Sequence, residues 1–157
     1  MSDLQNAILI HVGENRKRLE PGCFSFAASF AFLAYGGLKM TKIMIIDDSS
    51  LSRRLLRRIL DPAGYQIIEV SSAAAALESL LVEKPALVML DLVMPEIHGL
   101  ELLTKLRLLD PHVRVVVATA DVQNSTKEMA ESAGASGYIN KPFDPTQVIE
   151  AVKNALR

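Results

Sequence analysis

The sequence predicts an α/β fold, a single doubly wound parallel sheet of five strands in (βα)5 order. Two observations carry that prediction. Beyond residue 40, short apolar runs alternate five times with stretches of helical periodicity, and the connections between them are short. A parallel sheet with right-handed crossovers and helices on both faces is what such a pattern builds. A third observation points the same way: acids, a threonine and a lysine stand at the ends of the apolar runs rather than inside them.

The first strand is Ile43, Met44, Ile45 and Ile46, a continuous apolar run closing on Asp47 and Asp48, as expected of a strand buried on both faces. Ser49 and Ser50 open a helix, and Leu51, Leu55, Leu56, Ile59 and Leu60 share one of its faces. Asp61-Pro62-Ala63-Gly64 ends it. Residues 65–70 form the second strand. Ser71 and Ser72 cap a second helix through Leu77, Leu80 and Leu81, which stops before Pro85. The third strand, residues 86–90, closes on Asp91. A loop with Pro95 and Gly99 leads into a helix carrying Leu100, Leu102, Leu103, Leu106 and Leu109. Residues 113–118 form the fourth strand, closing on Thr119. A more polar helix over residues 122–133 ends at Gly134, residues 136–140 make the fifth strand, and Lys141-Pro142 follows it. The last helix spans residues 145–156.

Half of the 157 residues are hydrophobic and 22% are charged, enough for a packed core. A formal charge of −1 supplies no electrostatic footprint for nucleic acid. Cys23 is the single cysteine, so no internal disulfide is possible. His11, His98 and His112 stand at no metal-ligand spacing and read as surface residues.

The composition changes near residue 40. Phe24, Phe26, Phe30 and Phe32 and the cysteine all precede it. The uncharged run 23–38 follows Arg16, Lys17 and Arg18. It is shorter than the ~20 apolar residues a membrane-spanning helix needs, and it contains serines and glycines. A signal peptide would explain the basic-then-apolar order, with Ala34-Tyr35-Gly36 as a small-x-small cleavage site. The favoured expectation is that Met40 is the start, that residues 1–39 are an extension that is disordered or comes from a mis-assigned start, and that residues 40–157 are the functional domain. A cytoplasmic location with no membrane association goes with that reading.

In an open parallel sheet the binding crevice lies at the carboxyl ends of the strands beside the topological switch point. Asp47 and Asp48, Asp91, Thr119 and Lys141 end four different strands and converge there. Carboxylates held close together disfavour one another's ionisation. A hard divalent cation with oxygen ligands, Mg²⁺ or Mn²⁺, relieves that. Lys141 adds a fixed positive charge and Thr119 a hydroxyl. Such a set suits phosphoryl transfer, which asks mainly for positioning and charge neutralisation.

The segments around Asp47-Asp48, Asp91 to Gly99, Val115 to Ala120 and Gly134 to Phe143 together resemble the receiver domain of two-component response regulators, over residues 41–157. The resemblance implies a flavodoxin-like sheet in the order 2-1-3-4-5 and a stand-alone, chemotaxis-regulator-like receiver. Asp91 would be the phosphoacceptor, taking its phosphoryl group from a sensor histidine kinase or a phosphorelay phosphotransfer protein. Mg²⁺ would be held by Asp48, Asp91 and the backbone carbonyl of Val93, with Asp47 bound through water. Thr119 and Lys141 would contact phosphoryl oxygens, and Tyr138 would turn inward as Thr119 moves. Lys141-Pro142 matches a peptide bond the family usually keeps cis. Val93 and Asp121 occupy positions that tune phosphoryl lifetime, and an apolar Val93 implies slow self-dephosphorylation. The output partner is an unidentified protein, with no nucleic acid involved.

Each feature also has a plainer reading. Asp47-Asp48 before Ser49 could simply cap a helix, Thr119 could be an ordinary strand residue, and Tyr138 could be core packing. Arg53, Arg54, Arg57 and Arg58 form two i,i+4 pairs that usually make a solvated face, though in receivers the first helix also helps dock the histidine-bearing partner. The main rival function is an aspartyl-phosphate hydrolase resembling the haloacid-dehalogenase-type phosphatases. These need a second aspartate two residues after the nucleophile, where this chain has Val93. Without that acid–base group, turnover falls roughly 10²- to 10⁴-fold, so the chain is expected to be a phosphoacceptor and not an enzyme in its own right. A partner-binding receiver without phosphorylation and a DNA-binding regulator are the remaining alternatives. The complete acidic pocket argues against the first, and 13 basic against 15 acidic residues beyond residue 40 argue against the second.

Overall fold

The computed structural model describes residues 40–157 apart from Glu96 and Val122. The readings of residues 1–39 lie outside the described residues, as does Val122, the expected first residue of the fourth helix. The described chain alternates strand and helix: β1 (Lys42–Ile46), α1 (Ser50–Leu60), a 3₁₀ turn (Asp61–Ala63), β2 (Gln66–Val70), α2 (Ala73–Glu83), β3 (Leu87–Leu90), α3 (Gly99–Leu109), β4 (Arg114–Thr119), α4 (Asn124–Ser132), β5 (Gly137–Asn140) and α5 (Pro145–Leu156). All strands pair in parallel in the order β2-β1-β3-β4-β5, as expected from the sequence.

The central strands explain why their sequences are apolar without alternation. Ile43 and Ile45 face a core shared with Leu56 and Leu60 of α1 and Val148 and Val152 of α5. Met44 and Ile46 point the other way, to Ala76 and Leu80 of α2 and Leu102, Leu103 and Leu106 of α3. Side chains alternate across a strand, so a strand with helices on both faces has no polar side to offer. Each of these buried aliphatic residues contributes about 1.5–3 kcal/mol.

The helix boundaries follow local chemistry. The Ser49 hydroxyl accepts from the Ser52 amide at 3.4 Å, Ser72 accepts from Ala75 at 3.3 Å, and Asp144 accepts from Gln147 at 2.9 Å ahead of Pro145. These caps satisfy amides that have no intrahelical partner. Gly64, at φ +88°, closes the 3₁₀ turn in the left-handed region, where a side chain would be strained. The fourth helix is shorter than expected, starting at Asn124 and stopping at Ser132.

Some leucines do not reach the core. Leu51 and Leu55 of α1 are 66% and 41% exposed, and Leu81 and Leu109 are also exposed. The sheet covers only an arc of each helix, so a wide apolar stripe spills past its edge. The four arginines of α1 separate as well. Arg53 turns back, its Nη1 donating to the carbonyl of Asp47 at 2.7 Å and that of Asp48 at 3.1 Å. Arg57 pairs with Glu69 at 2.8 Å and with Asp61 at 3.3 Å. Arg54 and Arg58 remain exposed.

Candidate functional site

Strand register alone brings the acids together. Ile46 is level with Leu90, and Leu90 with Val117. The next residues, Asp47 and Asp91, therefore leave adjacent strands at the same height, about 4.8 Å apart. The Asp91 amide still donates to the Ile46 carbonyl at 2.9 Å, and the Asp47 amide to the Val70 carbonyl at 3.2 Å. Both acids are thus held by the last ladder bonds before the chain turns away. Asp48 follows one residue later and faces solvent. Carboxylate oxygens of Asp47, Asp48 and Asp91 all lie within 4.8 Å of one another.

Lys141, just past β5, reaches across this cluster. Its Nζ donates to Asp47 Oδ2 at 2.8 Å and to Asp91 Oδ2 at 2.6 Å. Its own amide donates to the Thr119 carbonyl at 2.9 Å, which ties it to the end of β4. Burial pulls the ammonium pKa down, but the hydrogen bonds and charges of Asp47 and Asp91 outweigh it, so the net shift is upward. The group stays charged throughout the neutral range. The ring of Phe143 lies 5.8 Å from the same nitrogen, and the Lys141-Pro142 bond is cis.

The remaining oxygens sort the three acids by availability. Asp47 is engaged on both sides, its Oδ1 accepting from the Ser49 amide at 2.8 Å. Asp91 Oδ1 accepts from the Val93 amide at 3.1 Å. Among the described residues no hydrogen bond reaches the carboxylate of Asp48. Three carboxylates against one ammonium leave an excess of two negative charges, and every donor present is a hard oxygen. That set fits a small divalent cation such as Mg²⁺.

Thr119 is fully buried at the end of β4. Its hydroxyl accepts from the Asp121 amide at 3.2 Å. Among the described residues, Tyr138 makes no hydrogen bond to Thr119. Its hydroxyl donates to the carbonyl of Asp121 at 2.5 Å, and its ring packs beside the α2–α4 core. Burial, then the nearby charge of Asp121, raises the Tyr138 phenol pKa. Val93 is 64% exposed at the mouth of the site. A crevice of about 110 Å³ runs between it, Thr119, Asp121, Thr126 and Met129.

Two participants go beyond what the sequence predicts. The spacing of Arg53 predicts a solvated face, but its guanidinium holds the backbone of Asp47 and Asp48. Thr126 carried no signal, yet its hydroxyl donates to Asp121 Oδ2 at 2.6 Å. Both contacts reach loop atoms, whose positions no sequence period sets.

The chain is similar to known proteins. The response regulator receiver domain family matches residues 43–153. The chain is 33% identical over 117 residues to the chemotaxis protein CheY of Thermotoga maritima, covering 74% of this chain and 98% of that one. It is also 33% identical over 115 residues to sporulation initiation phosphotransferase F of Bacillus subtilis, covering 73% of this chain and 93% of that one. The crystal structure of a CheY-like response regulator receiver domain protein from Methanospirillum hungatei superposes with a TM-score of 0.70 at 28% identity, covering 74% of this chain and 94% of that one.

Proposed function

Because this chain belongs to the response regulator receiver domain family, whose members are signalling phosphoacceptors, we propose that it is a phosphorylation switch in which Asp91 accepts a phosphoryl group from a histidine kinase or phosphotransfer protein. The supporting observation is the ammonium of Lys141 shared by Asp47 and Asp91, beside an Asp48 carboxylate that accepts no hydrogen bond from the described residues. Asp91 supplies the nucleophilic oxygen: a bond forms from its carboxylate to phosphorus as the phosphorus–nitrogen bond of the donor phosphohistidine breaks, and the imidazole leaves with the electron pair. Lys141 stays in place and balances the incoming phosphoryl oxygens. Thr119, one residue further along the neighbouring strand, offers its hydroxyl to the same group. Mg²⁺, held by Asp48, Asp91 and the Val93 carbonyl with Asp47 through water, would supply charge neutralisation for the phosphoryl oxygens.

Phosphorylation then biases the surface around Thr119, Tyr138 and α4 toward a form that a downstream protein reads. The domain is residues 40–157, working in the cytoplasm where such donors are found. No described helix is long and apolar enough to cross a membrane. Intact-mass measurement after incubation with acetyl phosphate tests the reading. One phosphoryl group should be gained only with Mg²⁺ present, and Asp91→Ala should gain none. After donor removal the adduct should decay slowly, because Val93 cannot hold a water by hydrogen bonding. Steady phosphate release over many turnovers would instead make the protein a phosphatase.

The histidine-bearing donor meets α1. Leu51, Arg54, Leu55 and Arg58 lie at i, i+3, i+4 and i+7, and all four are exposed, a stripe suited to an apolar helix edge rimmed by acids. Reversing Arg54 and Arg58 to glutamate should slow transfer from a histidine-phosphorylated donor about tenfold relative to acetyl phosphate, mainly through the association rate. Equal slowing with both donors would place the effect in the pocket and remove α1 from docking.

A further inference from the structure

The backbone of Asp121 is bonded to both proposed switch residues, through the two peptide groups that flank its Cα. Its amide donates to the Thr119 hydroxyl at 3.2 Å, and its carbonyl accepts from the Tyr138 hydroxyl at 2.5 Å. The link between Thr119 and Tyr138 therefore depends on how the Asp121 backbone is held. A loop residue between a strand end and a helix start has no ladder to hold it, and something else must.

The Asp121 side chain does so. Oδ1 accepts from the Gln123 amide at 2.9 Å, and Oδ2 accepts from the Thr126 hydroxyl at 2.6 Å. One oxygen thus fixes the loop to itself, and the other fixes it to the first turn of α4. Hydroxyl-to-carboxylate bonds of this length are charge-assisted and roughly twice as strong as neutral ones. These two bonds hold the Asp121 carboxyl below its ordinary range, as acceptor bonds to an ionised group should.

We infer that Thr126 is a positioning residue of the switch: by gripping the Asp121 carboxylate it sets the residue whose amide meets Thr119 and whose carbonyl meets Tyr138, and so makes the position of Tyr138 depend on the seating of α4. The inference rests on the proposed switch reading for its importance, but its geometry stands apart from phosphorylation. It also gives the coupling a direction. A partner that shifts the first turn of α4 would pull Oδ2, displace the Asp121 Cα and loosen the bonds of both flanking peptide groups. Thr119 would sense partner binding through the same link by which Tyr138 senses Thr119, as the reciprocity of coupled equilibria requires.

Fluorine NMR of the full chain labelled with fluorotyrosine tests this. The chain has three tyrosines, Tyr35, Tyr65 and Tyr138, and Tyr138→Phe identifies the relevant signal. Thr126→Val removes the hydroxyl and keeps the shape. It should move the Tyr138 resonance toward its solvent-exposed position, the ratio of inward to outward ring falling about tenfold for one lost charge-assisted bond. Thr126→Ser keeps the hydroxyl and should restore the wild-type signal. Asp121→Asn, which leaves the backbone intact and only weakens the acceptor, should fall between and serves if the valine variant does not fold. A Tyr138 signal unchanged in Thr126→Val, or in Asp121→Asn, overturns the inference, even if melting temperatures drop. Acetyl phosphate uptake by the unsubstituted protein is read separately by mass. No gain there would sink the switch reading while leaving the Thr126 outcome to stand or fall by itself.

Discussion

Lys141→Met should cost about 2–3 kcal/mol of stability in metal-free buffer, because it leaves Asp47 and Asp91 buried and facing each other with no cation between them. The methionine fills the space of the aliphatic stem, so the loss is one of charge rather than of packing. The same variant should regain much of that stability when millimolar Mg²⁺ is added, and by a larger increment than the unsubstituted protein gains. With the ammonium gone, the divalent ion meets an uncompensated set of carboxylates and binds more tightly, and tighter binding to the folded state raises stability by mass action. Thermal melts of both proteins with and without Mg²⁺ check this. An equal Mg²⁺ increment in the two would mean that Lys141 and the cation do not address the same charges. On the proposed reading, phosphoryl uptake in the variant should slow but persist, because Asp91 keeps the oxygen proposed as nucleophile and loses the ammonium that balances the incoming phosphoryl oxygens.

Gly99→Ala should be the most damaging glycine-to-alanine change among the described residues. A Cβ at Gly99 would overlap the Cα of Leu92 and come within 2.9 Å of its carbonyl carbon. The obstacle is backbone, which cannot swing aside as a side-chain tip can. The Gly99 amide donates to the Leu92 carbonyl at 3.1 Å, and this bond closes the loop that begins at Asp91. Relieving the overlap means opening the loop, and overpacking of this kind costs about 1–3 kcal/mol or somewhat more. Val93, whose amide holds Asp91 Oδ1, would move with it. Urea unfolding should show the loss with an unchanged slope, and phosphoryl uptake should fall in the variant even where it remains folded. By contrast Gly64→Ala meets no atom within 4 Å and suffers only from its φ of +88°, so its cost should stay near 1 kcal/mol. Finding the two substitutions equally harmful would show that loop closure at Gly99 is not the issue.

Much of the fold was legible because burial on both sheet faces writes itself into sequence as unbroken apolar runs. Residues 43–46 could hardly be anything else. The acids were legible for a related reason: a charged residue directly after such a run must sit where the strand leaves the sheet, and parallel pairing sets those exits side by side. What escaped was set by geometry across elements. Leu51 and Leu55 have the same spacing as Leu56 and Leu60, and only the width of the sheet decides that the first pair stays in water. Arg53 and Arg54 are chemically identical neighbours separated by 100° around a helix, and their different fates follow from the carbonyls of Asp47 and Asp48 lying on one side. Thr126 depends on a loop conformation that has no period.

The span of chain between the members of the site has a consequence for how the protein comes into being. Lys141 lies 94 residues from Asp47 and 50 from Asp91, and β5 joins the sheet only through β4. Contacts so distant in sequence form late, after the entropy of closing the intervening loops has been met. A chain emerging from the ribosome therefore carries its acids on β1 and β3 well before it carries the ammonium that balances them. Until the fifth strand docks, the acids of β1 and β3 lack the ammonium that later lies between them, and free magnesium should bind there and lend support. Refolding from urea should accordingly run faster with magnesium than without, and Lys141→Met should make that acceleration larger.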